Sequence, residues 1–157
     1  MIATPRLVLE PLREEHAREM AAVLADPALH AFTGGAPLGA AELQARYERL
    51  LAGSPDPDVA WRNWVIRLAR EDRLAGTVQA TIAGGVAEVA WVVGTPWQGR
   101  GIATEAAQAL VAHLRGDGIA TVVAHIHPEH RASAAVAATA GLAPTAGLCD
   151  GEVRWST

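Results

Sequence analysis

The hydrophobic pattern changes period several times along the chain, and each change marks a predicted element. Leu7 to Leu12 reads as a first strand closed by Pro11. A helix follows, with Ala17, Met20, Ala21 and Leu24 on one face and Glu14 and Glu15 at its positive end. Pro27 ends it. Leu29 to Pro37 has no period and reads as loop, and Leu43, Tyr47, Leu50 and Leu51 give a second helix over 41–51. The turn Ser54-Pro-Asp-Pro-Asp58 then leads into segments of period two. Trp64, Ile66 and Leu68 alternate with Arg67 and Ala69, and Val78, Ala80 and Ile82 alternate with Thr77, Gln79 and Thr81. With a Gly84-Gly85 turn before the apolar run Val86 to Val93, three antiparallel strands in succession are expected.

The second half has a different rhythm. Ile102, Ala106, Leu110 and Leu114 recur every four residues with Ala103, Ala107 and Val111 beside them, and Gly116 with Gly118 ends this helix. A strand over Ile119 to His127, a short alanine-rich helix to Ala140 and a last strand pair separated by Asp150-Gly151 complete the chain. Strands and helices mixed around one sheet, with a strand-helix-strand unit late in the order, predict a mixed α/β fold. There is no internal repeat and no plausible linker. At 157 residues, half of them hydrophobic, residues 1–157 are expected to form a single domain around one core.

Between the Val86 to Val93 run and the helix lies Gln98-Gly99-Arg100-Gly101-Ile102-Ala103. Successive backbone N–H groups converge on an anion only where the chain enters conformations barred to residues with a Cβ, and two glycines supply that freedom. The helix that follows leaves its first N–H groups unpaired, so a diphosphate there gains roughly 1.5–3 kcal/mol per charge-assisted hydrogen bond. Arg100 adds a cation beside the turn. The competing reading is a tight strand-to-helix connection with no ligand, which a Gly-x-Gly turn alone fits equally well.

Charge and composition remove several function classes. A net charge of −4 argues against a dedicated nucleic-acid binder. No run of about 18 strongly apolar residues exists and the N-terminus has no basic-then-apolar leader, so a cytoplasmic protein without a membrane partner is expected. The one cysteine, Cys149, permits no internal disulfide. All thirteen basic residues are arginine. The absence of lysine excludes a Walker-type phosphate loop and Schiff-base chemistry. Abundant Ala, Gly and Arg point to a GC-rich bacterial genome.

The wider context of the turn is more specific. Ala87-Glu-Val-Ala-Trp-Val-Val-Gly-Thr-Pro-Trp-Gln-Gly-Arg-Gly-Ile-Ala-Thr-Glu-Ala106 resembles the acyl-CoA-binding motif of the GNAT N-acetyltransferase superfamily, Gln/Arg-x-x-Gly-x-Gly/Ala, with Gln98, Gly101 and Ala103 in its three positions. His130-x-x-Ser133-x-x-Val136 followed by Gly141-Leu142 is similar to that family's Asn-x-x-Ser and Gly-Phe signature. Thr4-Pro-Arg-Leu-Val-Leu-Glu-Pro-Leu12 and Trp64-Val-Ile-Arg-Leu68 resemble the branch that includes ribosomal-protein alanine acetyltransferases. The likeness runs over nearly the whole chain.

The resemblance implies a single domain with a central, twisted, mostly antiparallel sheet of six to seven strands, about four helices and a central strand pair that splays apart. Acetyl-CoA would be the co-substrate, with no metal, and an amine the acceptor, either a small molecule or a protein N-terminus. The protein would act as monomer or homodimer. The implied coenzyme contacts are Trp91, Val92 and Val93 along the pantetheine arm, Gln98, Gly99, Arg100, Gly101, Ile102, Ala103 and Thr104 around the diphosphate, and His130 and Ser133 near the thioester. Three departures stand out. His130 replaces the usual Asn, Leu142 replaces the usual Phe, and the tyrosine that many relatives place in the last helix as general acid is missing, since the only tyrosine is Tyr47.

Acetyl transfer from sulfur requires an unprotonated amine. A lysine amine with a pKa of about 10.4 carries a penalty of roughly 4.6 kcal/mol at pH 7, against about 1.4 for an α-amine. Glu88 is the candidate base, because alternation puts it on the strand face of Ala90 and Val92, where apolar neighbours would raise a carboxylate toward the working range, with water carrying the proton. The alternative leaves Glu88 on a solvated face. Ser133 is the candidate acid toward the leaving sulfur by its place in the motif, against the alternative of a helix-capping serine. His125, His127 and His130 resemble a metal set, yet the third ligand would have to reach across Pro128 and Cys149 is in no recognised spacing. They read instead as lining for the acceptor cleft, with His127 the candidate proton carrier.

Among the five tryptophans, Trp97 is placed to shield the coenzyme, while Trp61, Trp64 and Trp155 fit sheet packing and Trp91 fits either role. The loop from His30 to Ala36, with Phe32, and the helix around Tyr47 are expected to frame the acceptor. Two functions follow: an acetyl-CoA-dependent N-acetyltransferase working by direct attack, with Val92 or Val93 N–H groups stabilising the oxyanion, or an acyl-CoA-binding module without turnover.

Overall fold

The computed structural model describes residues 1–32 and 34–157. In chain order the elements are β1 (Ile2–Ala3), β2 (Leu7–Pro11), α1 (His16–Val23), α2 (Ala40–Ala52), β3 (Val59–Leu68), β4 (Arg73–Ala83), β5 (Val86–Val93), α3 (Ile102–Gly116), β6 (Thr121–Ile126), α4 (Arg131–Thr139), β7 (Ala143–Cys149) and β8 (Glu152–Ser156). The strands form one mixed sheet in the order β1-β2-β3-β4-β5-β6-β8-β7. All neighbours are antiparallel except β5 and β6.

The expected six to seven strands become eight. The extra one is the two-residue β1, which pairs Ile2 with Leu9 and Ala3 with Val8 and is too short to leave a period in the sequence. A second difference falls in the segment read as loop. Pro27–His30 forms a single 3-10 turn, started by Asp26, whose carboxylate accepts the Ala28 N–H at 2.9 Å. The same carboxylate accepts the Thr95 hydroxyl at 2.8 Å and so ties this segment to the chain just before the glycine turn.

Period-two alternation divides the sheet into two cores. Ile66, Val78, Ala87, Val89 and Val122 face α3, whose stripe Ile102, Ala106, Leu110 and Leu114 is almost fully buried. The preceding residue of β3, Val65, faces the other way and packs with Met20 of α1 and with Leu43 and Tyr47 of α2. Helices therefore cover both faces. A fully buried Leu or Ile contributes about 1.5–3 kcal/mol, so the α3 stripe alone anchors that helix firmly on β4 to β6. The hairpin turns obey their local chemistry, since Gly84 and Gly85, and Asp150 and Gly151, all have positive φ, as a tight two-residue turn between antiparallel strands requires.

One irregularity positions everything that follows. β5 and β6 pair only at Val86 to Glu88 with Thr121 to Val123 and then separate. β5 stays bonded to β4 as far as Val93, and β6 stays bonded to β8 as far as Ile126. The wedge between them leaves the inward backbone groups of residues 90–93 without a strand partner.

Candidate active site

The wedge opens into a cleft of about 970 Å³. Its walls include Trp91, Val92 and Val93 of β5, the turn residues Gln98, Gly99, Gly101, Ile102, Ala103 and Thr104, and His127, His130 and Ser133 beyond β6. These residues were expected at the site and the fold brings them together. Glu88 and Arg100 are not part of the wall.

At the turn, Gly99 and Gly101 have φ of +76° and +75°. Gly101 is the N-terminal cap of α3 and no side chain caps the helix there. Its carbonyl accepts the first helical bond, from the Glu105 N–H, so the N–H groups of Ile102, Ala103 and Thr104 have no intrahelical acceptor. A Cβ on Gly99 would meet nothing within 4 Å, which leaves open space above the amides. Gln98 braces this arrangement, its side-chain amide donating to the Val93 carbonyl at 3.0 Å. An uncapped helix start, two left-handed glycines and empty room beside them suit an oxyanion-rich group such as a diphosphate.

Arg100 differs from the expectation. Its guanidinium turns away from the cleft toward Glu71, at 3.6 Å, because that carboxylate offers a partner on the outer surface.

Glu88 also differs. Its neighbours are not apolar: the side chain is 51% exposed, and Oε1 lies 2.6 Å from Nδ1 of His125. The reason is register. Glu88 pairs with Val123 across the parallel step, so His125, two residues further on, shares its face. A carboxylate oxygen accepts, so His125 Nδ1 carries the hydrogen, and in the neutral ring Nε2 keeps a lone pair. His125, not Glu88, lines the cleft. Sequence reasoning missed this pair, and the signal was available only as a face relation between two strands distant in the chain.

The other histidines are committed differently. His127 Nδ1 accepts the Glu129 N–H at 3.1 Å, which leaves its Nε2 as the N–H of the neutral ring, a donor and not a base. His130 caps α4: its Nδ1 accepts the Ser133 N–H at 3.3 Å, and its Nε2 stands 3.1 Å from the Ser133 hydroxyl. With Nδ1 accepting, Nε2 donates to Oγ and the serine proton is free to point elsewhere. Burial, and then the neighbouring His127, holds the His130 pKa below the usual histidine value, so the ring is neutral near pH 7. Phe32 stacks on His130 at 4.5 Å and tilts against His127 at 5.0 Å. The loop from His30 to Ala36 thus reaches the site as expected, apart from Thr33, which lies outside the described residues.

The far side of the cleft carries Asn63, Thr77 and Gln79 from the sheet and Tyr47 from α2. The Tyr47 hydroxyl is the one buried side-chain polar atom without a partner among the described residues, and burial pushes its pKa up to about 12. Trp97 and Trp64 line the same cleft. Among the described residues no group of three His, Cys, Asp or Glu side chains is placed to hold a metal, and no helix is long and apolar enough to cross a membrane.

Several solved structures share this architecture. An acetyltransferase of the GNAT family from Bacillus anthracis is 17% identical, with a TM-score of 0.81 over 99% of this chain and 96% of its own. The ribosomal L7/L12 alpha-N-protein acetyltransferase RimL, solved with coenzyme A, is 20% identical with a TM-score of 0.79 over 98% and 94%. The aminoglycoside acetyltransferase AAC(6′)-Ib, solved with acetyl-CoA and paromomycin, is 18% identical with a TM-score of 0.80 over 97% and 93%. No curated protein is significantly similar in sequence. The family model for the acetyltransferase (GNAT) domain matches residues 6–143, which takes in the splayed strands, the glycine turn and the His130 to Ser133 cap, and the chain belongs to that family.

Proposed function

We propose that this protein transfers an acetyl group from acetyl-CoA to an amine by direct attack within a ternary complex. The observation that carries the reading is the convergence, in one cleft, of the unpaired edge of β5 with the uncapped glycine turn at α3. The turn takes the diphosphate, the backbone groups of β5 that face the wedge take the amide-bearing arm, and the thioester then lies beside Ser133. RimL acts on a protein α-amine and AAC(6′)-Ib was solved with an aminoglycoside, so both acceptor classes occur on this fold. Here the described cleft wall holds one carboxylate, Glu152, together with Arg46 and four histidines. That balance favours an acceptor with a single amine over a polycation.

In the reaction the amine nitrogen bonds to the thioester carbon as the carbon–sulfur bond breaks. The backbone N–H of Val93, which alternation turns into the wedge, faces the carbonyl oxygen as charge develops on it. His125 Nε2, oriented by Glu88 behind it, accepts the proton the amine releases, directly or through water. Glu88 is then a positioning residue. The departing thiolate accepts a hydrogen bond from the Ser133 hydroxyl, which His130 holds with its own hydrogen turned outward, and later takes a proton from solvent. No acyl-enzyme is needed.

Coenzyme A release, measured with a panel of amines, tests this. His125→Gln should lower kcat by about 10²-fold, the range typical of general base catalysis, and Glu88→Gln by less, with acetyl-CoA affinity unchanged in both. Acetyl-CoA binding without release under any acceptor would instead establish a silent acyl-CoA-binding module.

A further inference from the structure

The glycine turn is held from outside the cleft by residues 94 to 101 positions away in the chain. Arg6, in the loop between β1 and β2, donates from Nη1 to the Arg100 carbonyl oxygen at 2.8 Å and from Nε to Oε1 of Glu105 at 2.7 Å. Its backbone N–H and the Thr4 hydroxyl both donate to Oε2 of the same carboxylate, at 3.0 and 2.5 Å. Its remaining nitrogen lies 3.3 Å from where a Cβ on Gly101 would sit. Burial works to raise the Glu105 pKa, but hydrogen bonds from Thr4 and Arg6 outweigh it and keep the carboxyl ionised below the usual range.

Two consequences follow for an anion in the turn. A trans peptide points its C=O and N–H in opposite directions, so fixing the Arg100 oxygen outward on Arg6 fixes the Gly101 N–H on the opposite side, where Gly101 faces the cleft. Second, Glu105 sits in the first turn of α3, where its negative charge would compete with a diphosphate for the same helix terminus. Arg6 neutralises that charge in place.

We propose that Arg6 is a positioning residue for the coenzyme diphosphate, aiming the Arg100–Gly101 peptide and cancelling the charge of Glu105. This rests on the turn being the diphosphate cradle. Calorimetric titration of full-length variants with acetyl-CoA and with S-acetylpantetheine, which lacks the diphosphate, separates aim from general packing. Arg6→Gln should weaken acetyl-CoA about tenfold, the worth of one charge-assisted hydrogen bond, and leave S-acetylpantetheine unchanged. Arg6→Gln with Glu105→Gln should recover part of the loss, because the uncompensated carboxylate is gone. If Arg6→Gln does not fold, Arg6→Lys serves, with a smaller loss confined to acetyl-CoA, since one ammonium cannot hold both partners in a fork. Unchanged acetyl-CoA affinity, or equal losses for both ligands, would overturn the assignment. Wild-type protein that binds no acetyl-CoA removes the cradle and this inference together, whereas wild-type binding that Arg6 variants leave intact removes only the inference.

Discussion

Adding one methyl group to each glycine of the turn separates backbone conformation from the contact above it. Gly99 and Gly101 have nearly equal φ, +76° and +75°, so alanine at either position carries the same left-handed penalty, about 1–2 kcal/mol. Their surroundings differ. A Cβ on Gly99 meets nothing within 4 Å, whereas on Gly101 it sits 3.3 Å from the Arg6 guanidinium, which must yield and loosen its bonds to Arg100 and Glu105. For a chain of this length, about 2–4 °C of Tm accompanies each kcal/mol. Gly99→Ala should therefore lower Tm by about 2–8 °C, and Gly101→Ala should lower it further. Acetyl-CoA affinity is the sharper readout. Turning one amide away from the diphosphate forfeits about 1.5–3 kcal/mol, roughly a 10- to 100-fold rise in Kd for either variant. Thermal melts and calorimetry on the purified variants measure both quantities. Two variants that melt lower yet bind acetyl-CoA as tightly as wild type would refute the assignment of the turn to the diphosphate.

Gly76 on β4 should tolerate substitution worse than either, because a Cβ there would come within 2.1 Å of the Val92 carbonyl oxygen, a backbone atom that cannot swing aside. Gly76→Ala is expected to cost about 2–3 kcal/mol and to weaken acetyl-CoA through displaced β5, and a Tm within a degree of wild type would contradict this. Acid should destabilise the fold through His16, whose Nδ1 accepts the Arg13 N–H at 3.0 Å and whose ring is 4% exposed. Burial first, then the charge of Arg13, holds its folded pKa below the histidine value, so the unfolded chain binds the extra proton. Stability is then full above about pH 6.5 and falls as pH drops below that value. His130 adds to the same slope, so the comparison is with His16→Gln, whose Tm should change less between pH 7.5 and 5.5, and parallel losses in the two proteins would count against His16.

Local chemistry accounts for much of what was legible in the sequence. Hydrophobic pattern placed α1 to α3 and β2 to β5, alanine content placed α4, the Asp150-Gly151 turn placed the last strand pair, and the glycine turn announced itself because glycine accepts φ near +75° on both sides of one intervening residue. Period and turn chemistry are properties of neighbouring residues, so a linear reading can find them. The wedge between β5 and β6 was expected only through resemblance, since loss of pairing depends on where two strands 30-odd positions apart begin to diverge.

The site's finer chemistry depended on tertiary structure. The sequence singled out Glu88, His127 and Arg100, but parallel register joined Glu88 to His125, the Glu129 N–H occupied the His127 acceptor nitrogen, and Glu71 drew Arg100 outward. Arg6 and Glu105, which lie 99 residues apart, had no local signal for their ion pair. Composition and period determine which face of an element is buried, because burial energy follows side-chain type; which polar groups meet on the remaining faces depends on register and packing angle, which the assembled sheet alone sets.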